Sequence, residues 1–365
     1  MKRYSFDIDV TGACNLRCPC CPQGNLKEYR LPHGFIDPQL LEKIVAKATS
    51  EAALSRISLF SWAEPLLHPE ITELVRIVRR SGTVCYLSSN LNLLPDPDAL
   101  MAANPDVLRI SASGFTQGTY GRFHRGGDVE RVKKHMVELA EARKRRGAST
   151  RIYVYYHRYR GNLKEEPLMR DFARELGFGF QSVWALLFPL EKILPLADGG
   201  EGFPLTEEDR QLMAELALPV EEALAVAARH SQQPCALKDG ALSIDFRGDV
   251  QLCCGIFDAS RFTIGNYLEM PLAEIQRLRA EHPMCRRCIR GGGHVYLCYG
   301  ARELAELAVA NVAADDRKLL GLKRELARRR VGEMLLKVSA VIPEELKWRV
   351  QRELERLSQW QGGGR

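Results

Sequence analysis

Cys14-Asn-Leu-Arg-Cys18-Pro-Cys20-Cys21 decides the reading of this chain, because it comes directly after the apolar-alternating run Tyr4 to Val10. Cys14, Cys18 and Cys21 stand with three and then two residues between them, on a short loop leaving a strand. Thiolates are soft ligands suited to iron–sulfur clusters. Three of them can hold a four-iron cube by three corners and leave the fourth iron open. The competing reading is a zinc knuckle or a chance clustering of cysteines. A structural zinc site closes with four ligands, and this spacing supplies three.

Outward from that loop, extended runs alternate with amphipathic ones up to about Leu187. The strand candidates are Phe6–Val10, Arg56–Phe60, Val84–Ser88, Val107–Ser111, Arg151–Tyr156 and Phe180–Leu186. Helical patterns cover Pro38–Ala53, Pro69–Ser81, Asp96–Ala103, Asp128–Arg146 and Lys164–Leu176. Such strand–helix repetition implies an α/β fold, a parallel sheet with helices packed outside it. The units fall short of a closed eight-stranded barrel, so an open, partial (β/α)6 TIM-like barrel is expected. Ligand chemistry in parallel α/β folds collects at the carboxyl ends of the strands. The polar segments fall there: Phe60-Ser-Trp62-Ala63-Glu64-Pro65, Ser88-Ser89-Asn90 and Ser111-Ala112-Ser113-Gly114.

The three-cysteine motif and its setting resemble the radical S-adenosylmethionine (SAM) superfamily. In that family SAM chelates the open iron of a [4Fe–4S] cluster and is cleaved reductively to a 5'-deoxyadenosyl radical. The resemblance implies that Cys14, Cys18 and Cys21 bind the cluster. Trp62, Ala63 and Glu64 stand where relatives carry Gly-Gly-Glu and receive the SAM amino group; the loss of both glycines is a departure. Ser88, Asn90, Ser111 and Ser113 match segments that contact ribose and the methionyl carboxylate, although serines at strand ends are also ordinary turn residues. In Tyr120-Gly-Arg122-Phe-His124-Arg125, Arg125 is the first candidate for the SAM carboxylate and Arg122 the second, since a guanidinium fork suits that group. An exposed surface arginine is the plain alternative for each, and His124 reads as an acid or base or, more often for a lone loop histidine, as a solvated side chain. The aromatic cluster Tyr153–His157 either walls the adenine or substrate or is simply core. A further departure is Cys20, where relatives usually have an aromatic residue.

After Leu187 the alternation stops, and helical segments are expected around Thr206–Leu216 and Val220–His230. Then come Cys235, a hairpin signal at Arg247-Gly248-Asp249, the pair Cys253-Cys254, and Cys285-Arg-Arg-Cys288. Four thiolates close either zinc or a four-iron cluster. Behind a radical SAM core, Cys235, Cys253, Cys285 and Cys288 resemble the auxiliary-cluster module called twitch, the short form of SPASM, with a spacing similar to that of dehydrogenases acting on cyclitol rings. One auxiliary cluster is implied. Whether Cys253 or Cys254 is the ligand stays open.

Four segments result: the barrel over 1–190, a helical linker over 191–232, the twitch-type domain over 233–298 and a helical C-terminal extension over 299–365. No apolar run is long enough to span a membrane and no signal region opens the chain, so the 11 cysteines read as ligands or free thiols in a reducing cytoplasm. The net charge of +6 is modest and gathers late, at Lys323, Arg324, Arg328, Arg329 and Arg330, which reads as a solvated helix face. The expected activity is oxidation of a sugar, cyclitol or nucleoside-like small molecule by dehydrogenation or decarboxylation. The family resemblance adds a flavodoxin- or ferredoxin-type electron donor. An epimerase would need a thiol hydrogen donor, for which Cys298, Cys254 and Cys85 are candidates. Peptide modification ranks lower because no leader-binding domain is expected before the first strand. A zinc-stabilised module using its basic tail on nucleic acid ranks last.

Overall fold

A computed structural model describes residues 3–26, 33–313, 316–317 and 321. The chain divides into Met1–Val312 and Ala313–Arg365. The basic residues Lys323 to Arg330, and nearly all of the helix expected after residue 312, lie outside the described residues.

Six strands pair in parallel in chain order: β1 (Arg3–Ile8), β2 (Ala53–Ser58), β3 (Cys85–Ser89), β4 (Val107–Ala112), β5 (Arg151–Arg158) and β6 (Gly179–Trp184). Period-two alternation builds them. In β5, Ile152, Val154, Tyr156 and Arg158 are buried, while Tyr153, Tyr155 and His157 face the other way. Helices Pro38–Glu51, Ile71–Arg80, Pro97–Ala103, Val129–Arg146 and Glu166–Glu175 form the crossovers. The fourth shows how local signals set one element. Asp128 caps it by accepting from the N–H groups of Glu130 and Arg131, and Gly147, at φ +59°, ends it. Between those caps Val132, Met136, Leu139 and Ala142 recur every three or four residues and are fully buried. Each large apolar side chain so buried contributes about 1.5–3 kcal/mol.

β1, β2 and β6 begin and end earlier than the apolar runs suggested, so Asp9, Val10 and Leu59 already belong to the loops. The expected hairpin is present as β7 (Ala241–Ile244) and β8 (Asp249–Gln251), with Gly248 at φ +88° and Asp245 accepting from the N–H groups of Arg247 and Asp249. β7 pairs in parallel with β1, Ser5 through Ile8 against Ala241 through Ile244, and β9 (Thr263–Asn266) pairs with β8. One open sheet of nine strands results, ordered β6-β5-β4-β3-β2-β1-β7-β8-β9.

The stretch after β6 is helical, with helices Leu190–Asp198, Glu207–Glu215 and Val220–Ala228. The first two are joined by a buried ion pair, Lys192 Nζ lying 2.8 Å from both carboxylate oxygens of Asp209. Among the described residues no helix is long and apolar enough to cross a membrane.

Candidate active site

The loops at the carboxyl ends of β1 to β6 surround an open cavity of about 1240 Å³, its mouth included. Cys14, Cys18 and Cys21 line it, as do Trp62, Ala63, Glu64, Ser88, Asn90, Ser111 and Ser113. The cysteine loop is tied down by its own backbone. Gly24 is packed so tightly that a Cβ there would fall 2.2 Å from the Cys18 carbonyl oxygen. The N–H of Arg17 donates to the Arg125 carbonyl at 2.9 Å, and Asn25 donates to the carbonyls of Pro19 and Phe188. Burial, together with the repulsion of neighbouring thiolates, pushes Cys18 and Cys21 well above the usual thiol range. Burial and the nearby Glu64 push Cys14 up to about 11. Three thiolates gathered here call for a cation among them, which is what bound iron supplies. The donor set therefore fits a cluster.

Asp9 organises the second loop. Its carboxylate accepts from the N–H groups of Ser61, Trp62 and Ala63 at 2.7 to 3.1 Å, and burial raises its pKa to about 6. Because each peptide is planar and trans, the carbonyls of Phe60, Ser61 and Trp62 turn away from Asp9. Glu64 lines the cavity but is already engaged, accepting from the N–H groups of Asn90 at 2.8 Å and Leu66 at 3.1 Å. Burial raises its pKa to about 7. It braces two strand-end loops against each other. The Trp62 ring accounts for the departure from glycine. It meets Phe188 and Phe257 edge to face and donates Nε1–H to the Ile256 carbonyl, tying this loop to the segment after β8.

Two expectations fail on the next loop. Arg125 turns outward, half exposed, to Glu208 at 3.4 Å, and Arg122 pairs with Glu215 at 2.5 Å. Neither lines the cavity. His124, expected in solvent, is buried against it: Nε2 lies 2.9 Å from Ser113 Oγ, Nδ1 3.8 Å from Cys18 Sγ, and the ring stacks on Tyr120. Burial, with His157 nearby, lowers its pKa to about 3. The arginine that does line the cavity is Arg109, whose Nε donates to Ser88 Oγ at 2.8 Å. The signal for it was the alternation Arg109, Ser111, Ser113, which puts all three on one face. Tyr155 and His157 of β5 wall the cavity, whereas Tyr156 is core.

A second cavity, about 410 Å³, is lined by Cys235, Cys253, Cys285 and Cys288 together with Arg279 and His294. Arg279 is buried and donates to the carbonyls of Leu252 and Ala241 at 2.9 and 2.7 Å. Among the described residues no carboxylate lies within 4 Å of it. A hydrogen bond from the Cys254 thiol, aided by the Gly255 N–H and Arg279, lowers Cys253 below the usual thiol range. Cys254 itself lines a third cavity, about 920 Å³, with Cys298, Asp7, Arg56 and Arg109. The first and third cavities share Phe60, Ser61, Trp62, Arg109, Phe188 and Leu297 as walls. Cys85 belongs to the hydrophobic core. Among the described residues, no three histidine, cysteine, aspartate or glutamate side chains close on a point fit for a single metal ion.

The family model described as Radical SAM superfamily matches residues 8–164. That match takes in the cysteine loop and the strands β2 to β5. The GTP 3',8-cyclase of Chlorobaculum tepidum is 33% identical over 135 residues, covering 36% of this chain and 39% of that protein. The PqqA peptide cyclase of Gluconobacter oxydans is 28% identical over 177 residues, 48% of this chain and 47% of that one. The chain thus spans less than half the length of these curated relatives. In fold, the chain resembles SuiB of Streptococcus suis, solved with SAM bound (TM-score 0.54, 14% identity, 79% of this chain and 68% of that one). A similar likeness is to anSMEcpe, also solved with SAM (TM-score 0.51, 15% identity, 83% and 96%). At such identities the likeness concerns the fold.

Proposed function

We propose that this chain is a radical SAM enzyme that oxidises a sugar, cyclitol or nucleoside-like small molecule by dehydrogenation or decarboxylation. The observation that carries the reading is the arrangement of thiols: Cys14, Cys18 and Cys21, with Cys20 beside them, line the cavity at the strand ends, four others line a second, and a third cavity shares walls with the first and carries the Cys254 thiol. Cys14, Cys18 and Cys21 would hold a [4Fe–4S] cluster, which would supply the electron for reductive cleavage of bound SAM to a hydrogen-abstracting 5'-deoxyadenosyl radical. Asp9 fixes the Ser61–Ala63 backbone for the SAM amino group, and Ser88, Ser111 and Ser113 offer hydroxyls to the ribose. Phe60, Trp62, Tyr155 and Phe188 present apolar walls that exclude water from the reacting carbon.

Cys235, Cys253, Cys285 and Cys288 would hold an auxiliary cluster. The buried, carboxylate-free Arg279 supports an anionic occupant, which a metal–tetrathiolate centre is. Such a centre supplies an electron acceptor for the substrate radical. The electron that cleaves SAM would come from a flavodoxin- or ferredoxin-type donor.

Epimerisation is the second reading, favoured by Cys254 and Cys298 lining one cavity. A hydrogen-atom donor must carry its proton; the hydrogen bond to Cys253, with burial, holds Cys254 well above the usual range, and partial desolvation raises Cys298 although its side chain still reaches solvent. Peptide modification, suggested by the likeness to the PqqA peptide cyclase, comes third.

The test is 5'-deoxyadenosine formation by anaerobically reconstituted protein given SAM and reductant. Formation that is lost in Cys14→Ala supports the proposal, and none in wild type overturns it. Turnover in D2O then separates the first two readings: oxidation consumes SAM without deuterium in the product, whereas epimerisation puts solvent deuterium on the inverted carbon.

A further inference from the structure

We infer that the third cavity binds the anionic end of the substrate, a carboxylate or a phosphate ester, on Arg109 and Arg56. This rests on the radical SAM reading above and narrows its substrate class. Three charged side chains line the cavity: Asp7, Arg56 and Arg109. Asp7 lies 3.5 Å from Arg56 and offsets much of that charge. Arg109 has no such partner, and among the described residues no carboxylate lies within 4 Å of it.

Arg109 is held in place without being neutralised. Its Nε is committed to Ser88, which leaves the four hydrogens of the two Nη groups. The guanidinium lies 4.9 Å from the Phe60 ring centroid and 4.6 Å from that of Tyr155. Rings in those positions fix the plane of the fork and keep water from its faces. A partly desolvated, preoriented guanidinium is suited to bidentate recognition of a carboxylate or phosphate. Arg56 stacks on Tyr86, 5.5 Å from its centroid, and adds a second fork across the same cavity. The three charges sum to +1, so an anion binds here and a neutral sugar or cyclitol leaves Arg109 unpaired. The same cavity holds Cys254 and Cys298, so an anchored anion sets the rest of the substrate between those thiols and the shared wall with the SAM cavity.

Calorimetric titration of reconstituted, SAM-loaded protein with phenyl phosphate, benzoate and neutral benzyl alcohol tests the inference. Wild type should bind at least one anion with a millimolar or tighter dissociation constant and at least tenfold more tightly than benzyl alcohol. Arg109→Met should weaken that anion at least tenfold. Arg56→Met, at a half-exposed side chain, should weaken it severalfold and keeps the test decisive if Arg109→Met does not fold. A preference for phenyl phosphate assigns a phosphate ester; a preference for benzoate assigns a carboxylate. Anions bound no better than benzyl alcohol, or unchanged binding in the folded variants, overturns the inference. So does loss of SAM binding alone in Arg109→Met, which would give that arginine to the cofactor. SAM cleavage on the same samples tests the radical reading separately: anion binding without cleavage refutes that reading, and cleavage without anion binding refutes this one.

Discussion

Replacing Lys192 by Met should unfold the protein more readily and lower the iron it binds at Cys14, Cys18 and Cys21. Lys192 Nζ reaches both oxygens of Asp209 at 2.8 Å, the Asn25 carbonyl at 3.1 Å and Asn25 Oδ1 at 3.3 Å. Both members of the ion pair have fully buried side chains. Methionine keeps most of the volume but leaves Asp209 a buried charge with only Thr206 as polar partner. Removing one partner of a buried pair costs about 3–5 kcal/mol. For the 312 residues of the first unit, an unfolding entropy of about 2.1 cal/mol/K per residue gives about 0.65 kcal/mol/K, so the melting temperature should fall by about 5–8 °C. Asn25 links stability to function, since its amide holds the Pro19 carbonyl within the cysteine loop. Iron bound by the variant should drop with the melting temperature. A Lys192→Met/Asp209→Leu double variant should recover most of the loss, because an apolar pair leaves no buried charge. Melting by circular dichroism and iron assay read both effects. A single variant melting within about 1 °C of wild type with full iron would refute the reasoning.

The geometry carries two more expected outcomes. Burial alone would raise the Glu166 carboxyl, but Arg158 at 2.6 Å, Ser182 and Arg170 hold it below the usual range. A lowered folded pKa means its contribution is present above the unfolded value near 4.5 and lost as pH falls below it. Glu166→Gln should therefore destabilise by about 3–5 kcal/mol at pH 7 and by less at pH 4, read from denaturant midpoints; an equal loss at both would contradict this. Asp9→Ala removes the acceptor for Ser61, Trp62 and Ala63. Each charged hydrogen bond is worth about 1.5–3 kcal/mol, so SAM affinity measured by equilibrium dialysis should fall at least about tenfold, and unchanged affinity would sink the role given to Asp9.

The parts of this architecture that were legible are those written in local pattern. Alternating strands, capped helices such as Asp128 to Gly147, and the spacing of Cys14, Cys18 and Cys21 all depend on neighbours a few residues apart. The strand-end rule then brought Trp62, Glu64, Ser88, Asn90, Ser111 and Ser113 to one cavity. What escaped depends on distant partners. Arg109 lies within β4 and Arg125 in a loop beyond it; strand alternation turns the first into the cavity, while Glu208, 83 residues away, draws the second outward. Nothing local announces that β7 joins β1 across more than 230 residues, or that Trp62 replaces a glycine so that its ring can reach Ile256. Cys253 and Cys254 could not be told apart as letters. Both line a further cavity with Asp9 and Trp62, and only the fold beyond β8 adds Cys253 to the four-thiol cavity and Cys254 to the one it shares with Cys298.

The account stands on two thiol sites, and metal content tests it most directly. Iron, sulfide and zinc should be measured after anaerobic reconstitution in wild type, in the Cys14→Ala/Cys18→Ala/Cys21→Ala variant and in the Cys235→Ala/Cys253→Ala/Cys285→Ala/Cys288→Ala variant. The account predicts about eight irons with matching sulfide in wild type and about four in each variant. Wild-type protein that takes up no iron, or that loses none when Cys14, Cys18 and Cys21 are removed, would contradict it.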